Sequence, residues 1–271
     1  IRDIGVTGVQ TCALPISGET IARKGDMLDA QRLALLMASG VQSIPLHPSP
    51  AVAILGSGSE LAPHGQSLAP GHVHECNLGP LAWLCESVGA RVVSTATVPD
   101  DPRLVREAID RAAVGADVLL TVGGASVGDH DHLRHVALEA GFCIDLWKLA
   151  LKPGKPFFAG RRDGTLLLGV PGNPVSAFVT TLLLVLPVLR VLAGCLRPLP
   201  PTRPGILVAP MANPDPRRHF MRVRIEDDGT VRPTGPQASH ILSSLATANG
   251  LVDVPPATTL CMDSMVRVIT W

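Results

Sequence analysis

Apolar residues near the front of the chain recur at helical spacing. Between residues 24 and 40 they occupy 28, 33, 36 and 37, and Gly40 stands where a helix needs its C-terminal cap, which predicts one short amphipathic helix. Pro45, Pro48 and Pro50 read as a stiff extended connection, and 51–55 (AVAIL) as a buried strand at which a domain begins. From there, apolar runs alternate with helical patterns: AVAIL, 78–88, RVVSTATV, 102–114, DVLLTV and 132–140. Such alternation predicts a parallel sheet flanked by helices, joined by right-handed crossovers. A further strand at 166–170 feeds a long apolar helix ending near Gly194.

After Gly194 the pattern changes. LRPLPPTRPG carries four prolines in ten residues, and the runs GILVAP, HFMRVRIED, GTVRPT and SMVRVITW are strand-like, without a clear long helix. We expect a linker and then a small, mainly β module. No internal repeat is present.

Composition sharpens this picture in three places. With 271 residues, 46% of them hydrophobic, and a mean hydropathy of +0.31, the chain can bury a large core. The 23 basic and 23 acidic residues cancel, so no overall field favours nucleic acid or an anionic membrane, and any anion must be held locally. The six cysteines, at 12, 76, 85, 143, 195 and 261, form no Cys-x-x-Cys pair and suit a reducing cytoplasm better than a disulfide framework. No apolar run in 1–17 suits a signal peptide, and nothing there directs export. The apolar stretch 175–189 contains Pro187, ends at Arg190 and is shorter than the roughly 20 residues a membrane span needs, so it is expected to be a core helix.

Candidate chemistry lies in the turns. DVLLTV runs into Gly123-Gly124-Ala125-Ser126-Val127-Gly128, with a helix expected from Asp131. Glycines at a strand-to-helix turn let backbone amides approach a ligand, and the helix start favours an anion, although such a turn can also be only a turn. Pro171-Gly172-Asn173-Pro174 repeats the context, with Pro174 suited to the first helical position and Asn173 to the cap. Between them, Lys148, Lys152 and Lys155 could neutralise a phosphate or pyrophosphate, 148 and 152 sharing a face if the segment is extended; a solvated edge is the alternative. Asp101 before Pro102 suits a helix cap, which leaves Asp100, with Asp131, as a possible Mg²⁺ pair; Asp131 could equally cap its own helix. Asp129, His130, Asp131, His132 and His135 suggest a transition-metal site, but no distant Cys or His pairs with them, and an exposed helix start is the preferred reading.

Taken together, GSGSEL (56–61), GHVHECN (71–77), VPDDP (98–102), TVGGASVGDHD (121–131), WKLALKPGKP (147–156) and VPGNPVS (170–176), in this order, resemble the molybdopterin molybdenumtransferases, the MoeA and gephyrin E-domain family. RRHFMRV, QASHILSSLATANGLVDVP and SMVRVITW look like that family's C-terminal β domain. The resemblance implies a three-layer α/β molybdopterin-binding fold at 51–196 and a small β domain at 197–271. It implies insertion of molybdate into adenylylated molybdopterin with release of AMP, in a Mg²⁺-dependent step.

Carried over by motif, Gly123, Gly124, Ser126, Gly128, Lys152, Lys155, Pro171, Gly172, Asn173, Pro174 and Ser176 would bind the pterin and its phosphates. Asp100, Asp101 and Asp131 would handle metal or molybdate, with Glu60 as a further metal candidate. The chain departs from the family at Ser59, where an acidic residue is usual, and at Glu75, where Asp is common. Homodimerisation of the full-length protein and contact with the pathway's adenylyltransferase are also implied.

Family members carry a long dimerising region before the part matched by 24–40, so 17–50 is expected to be the remnant of a missing N-terminal domain. Residues 1–16 match nothing in the family and look like translated sequencing adapter, an expectation that an intact genomic locus without an upstream in-frame extension would defeat. Two alternatives stay open: a molybdopterin adenylyltransferase-like enzyme, which the β tail argues against, and a non-catalytic scaffold that holds the pterin or a partner protein.

Overall fold

A computed structural model describes residues 19–63, 65–123 and 132–271. The expected non-native segment 1–16, and Gly124, Ser126, Gly128 and Asp131, lie outside the described residues. The helix expected within 24–40 is shorter, α1 Ala30–Ala38, because Asp29 caps it by accepting from Arg32 N at 2.7 Å; Gly40 follows its end at φ 76°.

The first unit contains β1 (Ala51–Ser57), β2 (Leu61–Ala62), β3 (Val73–His74), α2 (Leu78–Ser87), β4 (Arg91–Val98), α3 (Pro102–Ala113), β5 (Val118–Val122) and α4 (His132–Glu139). It continues through β6 (Cys143–Trp147), β7 (Leu151–Lys152), β8 (Phe158–Arg162) and β9 (Thr165–Val170). It ends in α5 (Pro174–Thr180) and α6 (Leu186–Leu192), joined by a π-helical turn at Thr181–Val185. Its main sheet is six-stranded, in the order β4-β1-β5-β9-β8-β6. β4, β1, β5 and β9 pair in parallel, as the alternation predicted, whereas β8 runs antiparallel to both β9 and β6. Asp163, at φ 47°, and Gly164, at φ 89°, make the tight β8–β9 turn, and this hairpin turns a parallel sheet into a mixed one.

The centre of the sheet is buried on both faces, while its edge strands β4 and β6 are largely exposed. β1 and β5 are buried at every position, which explains their unbroken apolar runs. On one face Val52, Ile54, Leu120 and Val122 pack with Leu81 and Leu84 of α2 and with Val179, Leu182 and Leu186 of the long helix. On the other, Ala53, Leu55 and Leu119 meet Val105 and Ile109 of α3 and Leu133 and Val136 of α4. These make the three layers. The stretch 174–192 is long and apolar enough to cross a membrane, but its inner side lies in the first of these clusters, as a core helix's does. Its π-helical turn lies just before Pro187, which lacks the N–H that an α-helix needs there.

The tail adds β10 (Thr202–Leu207), β11 (Met211–Asn213), β12 (Arg218–Ile225), β13 (Thr230–Pro233), α7 (Leu242–Ala246), β14 (Gly250–Val254), β15 (Thr258–Leu260) and β16 (Met265–Thr270). The pairings β13-β10-β16-β14-β12, with β12 returning to β13, close a five-stranded barrel around Leu207, Val223, Val231, Val252 and Val268. The expected linker is shorter than its prolines suggest: Pro204 lies inside β10, at a position whose missing N–H the ladder tolerates. β7 leaves its own unit and pairs with β12, Leu151 beside Arg218 and Lys152 beside His219. A stretch of 51–196 is therefore built into the barrel sheet.

Candidate functional site

Where sheet and barrel meet, a cavity of about 1120 Å³ opens. Its floor is the ends of β1, β5 and β9, the place where an open α/β sheet presents ligands. Gly123, at φ +97°, lies so close to β1 that a Cβ would collide with the Ser57 carbonyl oxygen. A Cβ on Gly172 would stand 3.2 Å from the Gly123 Cα. Both positions are glycine because backbone packs on backbone there. Asn77, at the start of α2, fastens the second turn by donating from Nδ2 to the Gly172 carbonyl at 2.9 Å.

Carboxylates occupy one side. Asp100 accepts from Ser57 Oγ and, at 3.3 Å, from Ser59 N, while its own N–H donates to Ser59 Oγ at 3.0 Å. Ser59, which stands where the resembled family usually has an acidic residue, thus holds Asp100 in place. Glu60 lines the cavity nearby. Glu75 serves the fold, since its Oε1 caps α2 by accepting from Asn77 N at 2.6 Å and Leu78 N at 3.0 Å. Beside it, burial and the Glu75 charge raise the Cys76 thiol, which disfavours its thiolate.

Cations occupy the opposite side. Lys152 and Lys155 come from the KPGKP turn and Arg217 from the barrel, which also supplies the uncharged His219. Asp215 joins two of them: Arg217 donates to it from Nε at 2.8 Å and Nη2 at 2.7 Å, and Lys152 Nζ lies 3.4 Å away. The Arg217 hydrogen bonds hold the Asp215 carboxyl far below the usual carboxylate range. His219 is buried, its Nε2 has no partner, and burial, followed by the charges of Lys152 and Arg222, lowers it to about 4, so it is neutral near pH 7.

Among the described residues, then, Glu60, Asp100, Gly123, Lys152, Lys155, Pro171, Gly172, Asn173, Pro174 and Ser176 all border one cavity. Asp101 does not; its carboxylate caps α3 by accepting from Arg103 N at 2.8 Å and Leu104 N at 3.1 Å. Asn173 occupies the cap position of α5 but makes no side-chain cap bond, and Pro174 fills the first helical position. Lys148 does not share a face with Lys152. Its φ of 61° turns it away, and its Nζ lies 4.0 Å from the centroid of the Trp147 ring, beside a smaller hollow. No three described His, Cys, Asp or Glu side chains converge as a metal cluster.

The reading from residues alone missed the barrel's share of the wall: Arg217, His219, Gln237, Ser239 and His240. The only signal for them was the resemblance of RRHFMRV and QASHIL to a family's tail, because nothing in local spacing says that a β module faces a distant lysine turn.

Comparison with known proteins agrees with this fold. Residues 53–191 match the family described as probable molybdopterin binding domain, which defines the class of the larger unit. Residues 204–262 match the MoeA C-terminal region (domain IV). Molybdopterin molybdenumtransferase 2 of Mycobacterium tuberculosis is 37% identical over 245 residues, covering 88% of this chain and 60% of that protein. The molybdopterin molybdenumtransferase of Haemophilus influenzae is 31% identical over 86% of this chain and 58% of its own length. The crystal structure of the molybdopterin biosynthesis MoeA protein of Pyrococcus horikosii superposes with a TM-score of 0.82 at 27% identity, over 94% of this chain and 62% of that one. The chain belongs to the MoeA family. It spans about 60% of the length of the curated relatives it matches.

Proposed function

We propose that this chain carries the ligand-binding half of a molybdenum insertase, which transfers molybdate onto adenylylated molybdopterin and releases AMP. One observation carries the reading: a single large cavity has backbone-lined glycine turns on one wall and Lys152, Lys155 and Arg217 on the other. A ligand with a pyrophosphate link and a second, small oxyanion needs both kinds of wall, amides and a helix start for phosphate and fixed cations for the oxyanion.

Mg²⁺ fits the donor set in a limited way. Asp100 and Glu60 supply carboxylate oxygens, with Asp131 a further candidate, and a small hard cation commonly takes one or two carboxylates and completes its shell with substrate phosphate and water. Bound there, it would neutralise the pyrophosphate and assist departure of AMP. The protein's own residues orient the ligand: Ser57 and Ser59 fix the Asp100 carboxylate, and Asp215 holds Arg217 and Lys152 at the cationic wall. Dimerisation, docking of the pathway's adenylyltransferase and a cytoplasmic setting belong to the same proposal. The free thiols at Cys76, Cys85, Cys143, Cys195 and Cys261 suit such a setting.

The test is molybdate- and Mg²⁺-dependent AMP release from adenylylated molybdopterin by the purified chain. Release supports the full reaction, and tight binding without release supports a binding half that needs the rest of the protein. A folded chain that neither binds nor turns over this compound would overturn the reading.

A further inference from the structure

Arg222 is fully buried, yet all its side-chain acceptors are neutral. Its neighbours on β12, Met221 and Val223, belong to the barrel core, so alternation turns Arg222 to the other side, under the segment that follows β13. There Nε donates to Ser244 Oγ at 2.8 Å, and Nη2 donates to the carbonyls of Pro236 at 2.9 Å and Ala238 at 3.2 Å. Its main chain joins in. Arg222 N donates to Gln237 Oε1 at 2.8 Å, and the Arg222 carbonyl accepts from Gln237 Nε2 and Thr234 N, both at 3.1 Å. Thr234 Oγ1 closes the loop on the Ser244 carbonyl at 2.7 Å.

A buried guanidinium without a carboxylate is expensive, and here one donor, Nη1, stays unpaired; burial lowers the group's proton affinity accordingly. Such a group adds little to the stability of the barrel, whose core is already apolar. What it does is fix the backbone of 236–238 at two carbonyls, and the same segment delivers Gln237, Ser239 and His240 to the cavity wall. Arg222 itself does not reach the cavity.

We propose that Arg222 is a positioning residue: from beneath the loop it fixes segment 236–240 in the conformation that binds the anionic ligand. The inference rests on the reading of this cavity as the ligand site. If it is correct, stability and binding separate, because an apolar residue in place of Arg222 removes a costly buried charge and also releases the wall.

The test uses the whole 271-residue chain as wild type, Arg222→Met, Arg222→Lys and Ser244→Ala. Amide hydrogen exchange is followed in peptides spanning 235–240, thermal melting is recorded, and molybdate is the titrant. Arg222→Met is expected to exchange faster in that segment and to bind molybdate at least about tenfold more weakly, with a melting temperature equal to or above wild type. Arg222→Lys should fall between the two. Ser244→Ala, which removes the Nε acceptor together with the Ser244 Oγ hydrogen bond to the Ile241 carbonyl and covers the case in which Arg222→Met does not fold, should move exchange and affinity the same way by less. Unchanged exchange, or faster exchange with undiminished affinity, would overturn the proposal. A folded wild type that binds no molybdate defeats the functional reading instead, and the exchange data then decide positioning alone.

Discussion

On the sheet side of the cavity the glycine turns present backbone, with Gly123 pressed against β1 and Gly172 against Gly123, and the carboxylates of Asp100 and Glu60 stand beside them. On the barrel side the surface is side chain: Lys152, Lys155 and Arg217, the first and last of them held by Asp215. The first kind of wall is rigid because it is part of the fold, so altering it damages the fold. The second is adjustable, because its groups are half-exposed and can be exchanged while the barrel core stays intact. Stability should therefore respond chiefly to substitution of the two glycines, and binding to substitution of these cations.

The largest effect is expected at Gly123. A valine there must adopt φ near +97° and push its Cβ into the Ser57 carbonyl, which should cost about 3 to 5 kcal/mol in chemical denaturation. A loss below about 1 kcal/mol would mean that the turn yields and that the sheet wall is not rigid.

His219 gives the next largest effect, through pH. Its folded value of about 4 lies below an ordinary 6.5, so between those values the unfolded chain takes up a proton that the folded chain refuses. Stability is fully present above pH 6.5 and falls as pH drops toward 4, by up to about 3 kcal/mol. His219→Phe should flatten that part of the pH profile, and an unchanged slope would place the titration elsewhere.

Arg217→Ala is expected to weaken oxyanion binding about 10- to 100-fold in a titration with molybdate, with thermal stability changed by less than about 1 kcal/mol. Smallest is Asp101→Ala, which removes the α3 cap. It should cost about 1 kcal/mol of stability and leave ligand affinity unchanged, in contrast to Asp100→Ala, which should weaken Mg²⁺-dependent binding with little loss of stability.

Much of the sheet unit was legible because its signals are local. Buried parallel strands give unbroken apolar runs, Asp101-Pro102 announces a helix start, and glycine-rich turns follow strand ends. The β8–β9 hairpin was not legible, since only its turn residues distinguish an antiparallel insertion from another parallel strand. Nor was the capture of β7 by the barrel, a pairing between residues far apart in sequence that no periodicity records. Asp100 and the KPGKP lysines could be nominated by residue type, but which carboxylate caps a helix and which faces a ligand depends on where Ser57 and Ser59 stand. The barrel's contribution was visible only as family likeness.

The measurement that tests the two-walled site most directly is equilibrium binding of adenylylated molybdopterin, with Mg²⁺ and molybdate present, to the wild-type chain and to a Lys152→Ala, Arg217→Ala double variant. Saturable binding by the wild type that weakens at least about 100-fold in the double variant, with an unchanged melting temperature, is the predicted result. Equal binding by both proteins would contradict it, because the ligand would then be held by the sheet wall alone.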